Sequence, residues 1–449
     1  MKKGTRVGGS SKEHKRGIEK ENGDIAEQVI QRTLFPRDGG NADWRIKLPR
    51  PTESDRVNKE FYALLGLILR QFVSSWYSKI TEDGKFVYEI VKTVSGVVGR
   101  LEDRALSLDL DTIILDDLPY MLDAHIQDFR FAKRRHAGGL GLETLEATFK
   151  NMRPHIATQN AENEQLFLKV LAKGLTLSLL NDVEVNSACS KTLVSTIISD
   201  IALKNAVERL SEPWMIHEII IKIIDQLTNK KKEELRDEFT EDVKLSMTQQ
   251  IGLLYSQTIS KIAQLVAYGG KSFAYVVSSS SSRNEREGES IPLITRSIFP
   301  LIDHILQFSE RKPLLTSLIS IFAQILKTDK LASTSSQVAQ AAINRHVRSD
   351  ELVCTILRAA RETMFPNNGN MGPPRIIPNE DEQRELYEKT RSKLNALFPE
   401  RMKTHVYSND TDSVVIDLLD VFSNKQINKS LVYNVLDYAI LSLVPELAE

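Results

Sequence analysis

Cysteine is nearly absent: only Cys189 and Cys354 occur in 449 residues. Two isolated thiols cannot build a thiolate zinc cluster. Their scarcity suits a reducing compartment and argues against a disulfide framework. An excess of charge of either sign is missing too, since 59 Lys and Arg face 60 Asp and Glu. A duplex-binding protein carries a basic surplus, so the balance argues against nucleic acid as a partner. Long apolar runs are also lacking. The best are Phe61–Leu69 and Leu314–Leu326, both short of the roughly 20 residues a spanning helix requires. The start is basic (Lys2, Lys3, Arg6), but Gly, Ser, Lys and Glu follow where a signal peptide has its apolar core. These features imply a cytoplasmic protein whose contact with membranes is peripheral.

Motifs for catalysis and cofactor binding are missing as well. His217-Glu218 opens like a zinc-protease helix, but Ile221 stands where the second histidine is needed. Gly270-Lys271-Ser272 imitates the end of a phosphate loop, yet position 265 is Leu. Gly138-Gly139-Leu140-Gly141 lacks the dinucleotide spacing. The histidines are scattered, and none forms a nucleophile–base pattern with a cysteine. The expectation is no catalytic residue, no metal ligand and no cofactor.

What the chain does have is helical periodicity. Phe61, Leu64, Leu65, Ile68 and Phe72 recur at helical spacing, and Trp76-Tyr77 extends the run. Phe86, Ile90, Val94, Val97 and Leu101 form a second stripe. Thr112–Phe129, Glu164–Leu180, Ser187–Arg209 and Pro213–Leu227 follow, the last with Ser211 as its expected N-cap. Helices resume at Pro292–Phe308, Pro313–Leu326, Gln337–Asn344 and Asp350–Met364, then at Asp381–Leu397, Ser413–Phe422 and Asn428–Leu443. Strand alternation is scarce, Ser272–Val277 being the one tempting piece. The fold class is all-α.

Composition divides the chain into four parts. Residues 1–52 are a basic, disordered N-terminal region, the first 20 holding seven Lys or Arg against two Glu. Residues 53–228 form a first helical domain, 229–290 a charged helix and Ser-rich linker, and 291–449 a second helical domain.

The block Arg70-Gln71-Phe72-Val73-Ser74-Ser75-Trp76-Tyr77, then Phe86 and Glu89-Ile90, resembles the opening of a PXA domain. Arg100–Arg104, Asp109-Leu110 and His125–Arg130 continue the likeness. In Leu210–Ile216 the family's proline is present, while His217 stands near its Asn. The second half resembles a C-nexin domain, at Pro300–Phe308, at Leu357–Asn367, and best at Ile427–Asp437 with Val444-Pro445-Glu446-Leu447. The resemblance spans about residues 55–449, and its nearest pattern is that of short fungal PXA proteins. The 229–290 interval leaves no room for a PX domain, and no RGS-like segment is evident, which disfavours a role in G-protein signalling. In this family the two end modules are thought to close one helical body around an apolar channel for acyl chains. The resemblance therefore implies phospholipid or another acyl lipid as cargo, and peripheral action on endoplasmic reticulum, endosome or vacuole.

The residues themselves supply candidates. In Trp214–Leu227, Ile216, Ile219, Ile220, Ile223, Ile224 and Leu227 share one face. Met215 and Ile221 widen it to an arc of roughly 240°. Leu314–Leu326 carries no charge. Lipid-cavity candidates are Leu171, Leu175, Ile216, Ile219, Ile220, Ile223, Leu318, Phe322 and Ile325. A lipid cavity and a filled core demand the same side chains, so both readings stand. Arg130, Lys133, Arg134 and Arg135, interleaved with Phe129 and Phe131, are candidates for resting on an anionic membrane surface. A solvated helix end is the alternative there. His125 and the Arg104–Asp109 pair read as structural. A helical adaptor or tether that binds protein partners is the competing function.

Overall fold

The computed structural model describes residues 25–36, 43–81, 83–138, 143–180, 188–237, 295–313, 317, 340, 343–344, 347–372 and 377–448. Most of these residues are helical, and no strand occurs among them. The principal helices are α1 (25–34), α2 (Trp44–Lys47), α3 (Asp55–Leu69), α4 (Lys85–Leu106) and α5 (Leu118–Ala137). They continue with α6 (Leu145–Met152), α7 (Ala161–Leu179), α8 (Lys204–Leu210) and α9 (Pro213–Asp237). The second half contributes α10 (Ile298–Leu306), α11 (Asp350–Met364), α12 (Glu380–Leu397), α13 (Thr411–Asp420) and α14 (Lys425–Leu443).

Local sequence starts many of these helices. Ser54, Asn160, Ser349, Asp410 and Asn424 each accept a hydrogen bond from a first-turn backbone N–H, opening α3, α7, α11, α13 and α14. Asn379 and Glu382 form a reciprocal capping box on α12. Each such cap is worth about 1 kcal/mol. Pro119, at the start of α5, directly follows the π turn Ile113–Asp117 in one unbroken helical run. Ser211 departs from expectation. Its hydroxyl donates to the Val207 carbonyl at 2.7 Å, closing α8 rather than capping α9. Three runs expected as continuous helix contain π-helical turns, at Arg70–Ser74, Ile113–Asp117 and Ile197–Leu203.

The two sequence halves pack into shared cores. One cluster gathers Ile30, Trp44, Tyr62, Leu67 and Val91 around Phe365 of the second half. A second joins Ile126, Phe129 and Phe149 to Leu301, Val421, Phe422 and Ile427. A third seats Tyr433 against Ala157, Leu168 and Val207. The fourth sets Leu175 and Leu179 against Ile440 and Val444. Burying side chains of this size contributes about 1.5–3 kcal/mol each, so the halves stabilise one another.

Buried polar groups reinforce the same junctions. Glu60 of α3 is hidden from solvent and accepts from Arg358 at 2.9 Å and Arg361 at 3.1 Å, both on α11. Lys429 of α14 sits between Glu164 of α7, at 2.8 Å, and Glu208 of α8, at 2.5 Å. Burial pushes this ammonium down, but the two carboxylates outweigh burial and raise its pKa. Asn428, fully buried, donates to the carbonyls of Ser211 and Phe422. Arg104 reaches the C-terminal end, donating to the Leu443 carbonyl and to both Glu446 oxygens at 3.0 Å. Asp109 instead caps the short turn Leu110–Thr112.

Candidate functional site

The apolar helix α9 is where a lipid site was expected, and its surroundings are uneven. Its buried side is Trp214, His217, Ile221 and Ile224, at helical spacing. This side meets α12: the ring of Tyr387 stands edge-on to His217 at 5.6 Å, and Lys393 pairs with Asp225. Burial holds the His217 imidazole below its ordinary pKa, and its Nδ1 has no hydrogen-bond partner. Ile216 turns the other way and packs, half-buried, against the Phe129–Phe422 cluster. Ile220 is half-buried. Ile219 and Ile223 keep 37% and 51% of their surface exposed. The face predicted from the isoleucine spacing is thus rotated from the one that is buried, because His217 and Asp225 meet α12 on the other side of the helix from Ile219 and Ile223.

The remaining cavity candidates divide. Leu175 is buried, and Leu171 half-buried, against Ile440, Val444 and Leu447. The fit is close there, since a Cβ on Gly174 would lie 2.8 Å from a Leu447 methyl. Leu318, Phe322 and Ile325 lie outside the described residues, as do the Leu314–Leu326 segment that holds them apart from Ser317, the tempting strand Ser272–Val277 and the Ser-rich linker.

The basic end of α5 also separates into two kinds of residue. Arg130 is not on the surface: it is 8% exposed, pairs with Asp417 at 2.7 Å, and donates to the His304 carbonyl at 2.8 Å. Its guanidinium faces α10 and α13 because Phe129 and Ala132, on either side, are both core. Lys133 is half-exposed and pairs with Asp420 at 2.6 Å. Arg134 and Arg135 are exposed, and among the described residues neither makes an ion pair. Phe131, between the two kinds, is 49% exposed. His125, facing inward on the same helix, lies between the rings of Phe149 and Phe422. Burial, with Arg153 adding, holds its pKa at about 4.

One surface escaped the periodicity reading. Phe72, Trp76 and Ile80 continue the α3 pattern at four-residue spacing, yet all three are exposed. The π turn Arg70–Ser74 displaces them from the buried row, and Trp76 closes its indole N–H onto the Phe72 carbonyl at 2.9 Å. Trp76, Tyr77 and Phe86 pack ring to ring at this tip. The Ser74-Ser75 pair ahead of two aromatics was the available signal, since polar residues there interrupt the apolar stripe.

Among the described residues no cluster of His, Cys, Asp and Glu could hold a metal ion. No described helix is long and apolar enough to cross a membrane. Among the described residues the arrangement offers exposed apolar and cationic surfaces.

Comparison with known proteins agrees with this architecture. The PXA domain matches residues 54–223, and the sorting nexin C-terminal domain matches residues 311–426. An uncharacterized protein of Saccharomyces cerevisiae is 22% identical over 84% of this chain and 77% of its own length. PXA domain protein 1 of Schizosaccharomyces pombe is 22% identical over 40% of this chain and 37% of its own. Sorting nexin-19 of Homo sapiens is 23% identical over 40% of this chain, which covers 18% of that protein. The chain thus spans under half the length of the PXA protein and the sorting nexin, and no solved structure matches it. With both domain types matched in order along one helical body, the chain belongs to the proteins that join a PXA domain to a sorting nexin C-terminal domain.

Proposed function

We propose that this protein binds acyl lipid and carries it between cytosol-facing membranes of endoplasmic reticulum, endosome or vacuole, acting peripherally and without catalysis. Membership among PXA and sorting nexin C-terminal proteins favours a membrane-associated trafficking role. The observation that carries the lipid reading is on α9. Ile219 and Ile223 stand exposed beside half-buried Ile216 and Ile220, while the opposite face of the helix is already packed on α12. Covering this apolar row with hydrocarbon releases about 25 cal/mol per Å². An acyl chain supplies such cover without asking for a polar partner.

The test is lipid extraction from the purified full-length chain followed by mass spectrometry. Near-stoichiometric phospholipid is expected; a clean apo-protein refutes the reading. A second function, a helical adaptor for protein partners, draws on the exposed row Phe72, Trp76 and Ile80. Aromatic residues of this kind dominate protein interfaces. Lipid-free protein that captures a partner, and releases it on Trp76→Ala substitution, would favour the adaptor.

A further inference from the structure

We propose that the C-terminal end of α5 docks the protein on an anionic phospholipid surface, with Phe131 entering the interface and Arg134 and Arg135 meeting the phosphates. The site deepens the lipid-handling function and rests on it. Its basis is what the fold leaves unpaired. Of the carboxylates on α5, Asp123 is bonded to His304 at 2.7 Å and Asp128 is paired with Arg153. Of the cations, Arg130 and Lys133 are engaged by Asp417 and Asp420. The His136 ring meets the Glu143 carbonyl at 3.2 Å, and the Glu143 carboxylate accepts from Asn151 at 3.1 Å. The charge that remains on the helix is Arg134 and Arg135, of one sign only.

Geometry sets these two arginines around an apolar anchor. At about 100° per residue, Arg134 and Arg135 lie roughly 60° and 40° to either side of Phe131. Tyr120, also exposed, falls within about 20° of Phe131 three turns earlier. One helix face therefore shows two aromatics, with both unpaired arginines at its last turn. Guanidinium groups bind phosphate through paired N–H donors, and aromatic side chains favour the depth where headgroups meet acyl chains. Charge complementarity selects an anionic surface over a zwitterionic one. The outward face of α5 also leaves His125, Ile126 and Phe129 in the core, so docking requires no opening of the fold.

The experiment is flotation of the full-length chain with vesicles of phosphatidylcholine alone or with about one-third phosphatidylserine. Wild type is expected to bind the second and not the first, and to be released by salt as screening grows. Arg134→Ala with Arg135→Ala should weaken binding about 25-fold, near fivefold for each charge. Phe131→Ala should weaken it about tenfold, while Arg134→Lys with Arg135→Lys should retain most of it. Circular dichroism of each variant should match wild type, since none of the three side chains is buried. Equal flotation of the Ala double variant, equal wild-type binding to pure phosphatidylcholine, or preference for a single-stranded RNA oligonucleotide over vesicles would each overturn the site. Lipid-free wild type that still floats with phosphatidylserine would refute carriage and support docking.

Discussion

Removing Glu60 should loosen the junction between the two halves more than any other single carboxylate. Glu60 is 3% exposed, and Arg361, one of its two partners, is 1% exposed. In Glu60→Ala the Arg361 guanidinium keeps its bond to the Asn368 side chain but loses its counter-ion in the core. Deleting one member of a buried pair costs about 3–5 kcal/mol, against about 0–1 kcal/mol for an exposed pair. The Arg358 side chain is 24% exposed and can turn toward water, so a loss near 3 kcal/mol is expected. Urea unfolding followed by tryptophan fluorescence reports directly, because Trp44 belongs to the cluster that α3 and α11 share. With a slope of about 3 kcal/mol per molar, the midpoint should fall by about 1 M. The double substitution Glu60→Leu with Arg361→Leu should recover much of the loss, since apolar replacements of a buried pair are often neutral. A shift under about 0.3 M for Glu60→Ala would show that the pair is effectively solvated and refute the reasoning.

Three further outcomes follow from other parts of the molecule. His125 has a folded pKa of about 4 against about 6.5 unfolded. The unfolded chain therefore takes up the proton first, and stability present above pH 6.5 is lost as pH falls toward 4, by about 3 kcal/mol. His125→Phe should flatten that acid limb in unfolding midpoints measured across pH; an unchanged slope would place the titration elsewhere. Gly66→Ala puts a Cβ into Thr33 Oγ1 and 3.1 Å from Thr33 Cβ. Thermal melting should show a net loss of about 1–2 kcal/mol, overpacking exceeding the gain in helix propensity, and a stabilised variant would contradict the α1–α3 packing. Ile219→Asp with Ile223→Asp should abolish co-purified lipid while moving stability by no more than about 0.5 kcal/mol. Retained lipid would rule out that row as its seat.

Much of the fold was legible in the sequence because helix formation is local. Spacing of apolar residues located α7, α11 and α12 to within a few residues, and the ordered motifs identified both domains. The candidate site was less legible. Isoleucine spacing on α9 announced an apolar helix, but Trp214 and His217 took the buried side. The run Arg130–Arg135 read as one basic patch, yet Arg130 and Lys133 are engaged by α13 and only Arg134 and Arg135 remain unpaired outside. The π turn at Arg70–Ser74 rotated Phe72 and Trp76 out of a row that periodicity alone would have buried.

By itself, then, the sequence determined the all-helical class and the order of the two modules. Each depends on residues near one another along the chain. Tertiary structure alone decided the burial of Glu60 against Arg361, the burial of Arg130 against Asp417, and the exposure of Ile219, Ile223 and Phe131. The physical reason is distance in sequence: these partners lie 301 and 287 residues apart. Periodicity shows that a helix has an apolar side, whereas only packing chooses the neighbour that covers it.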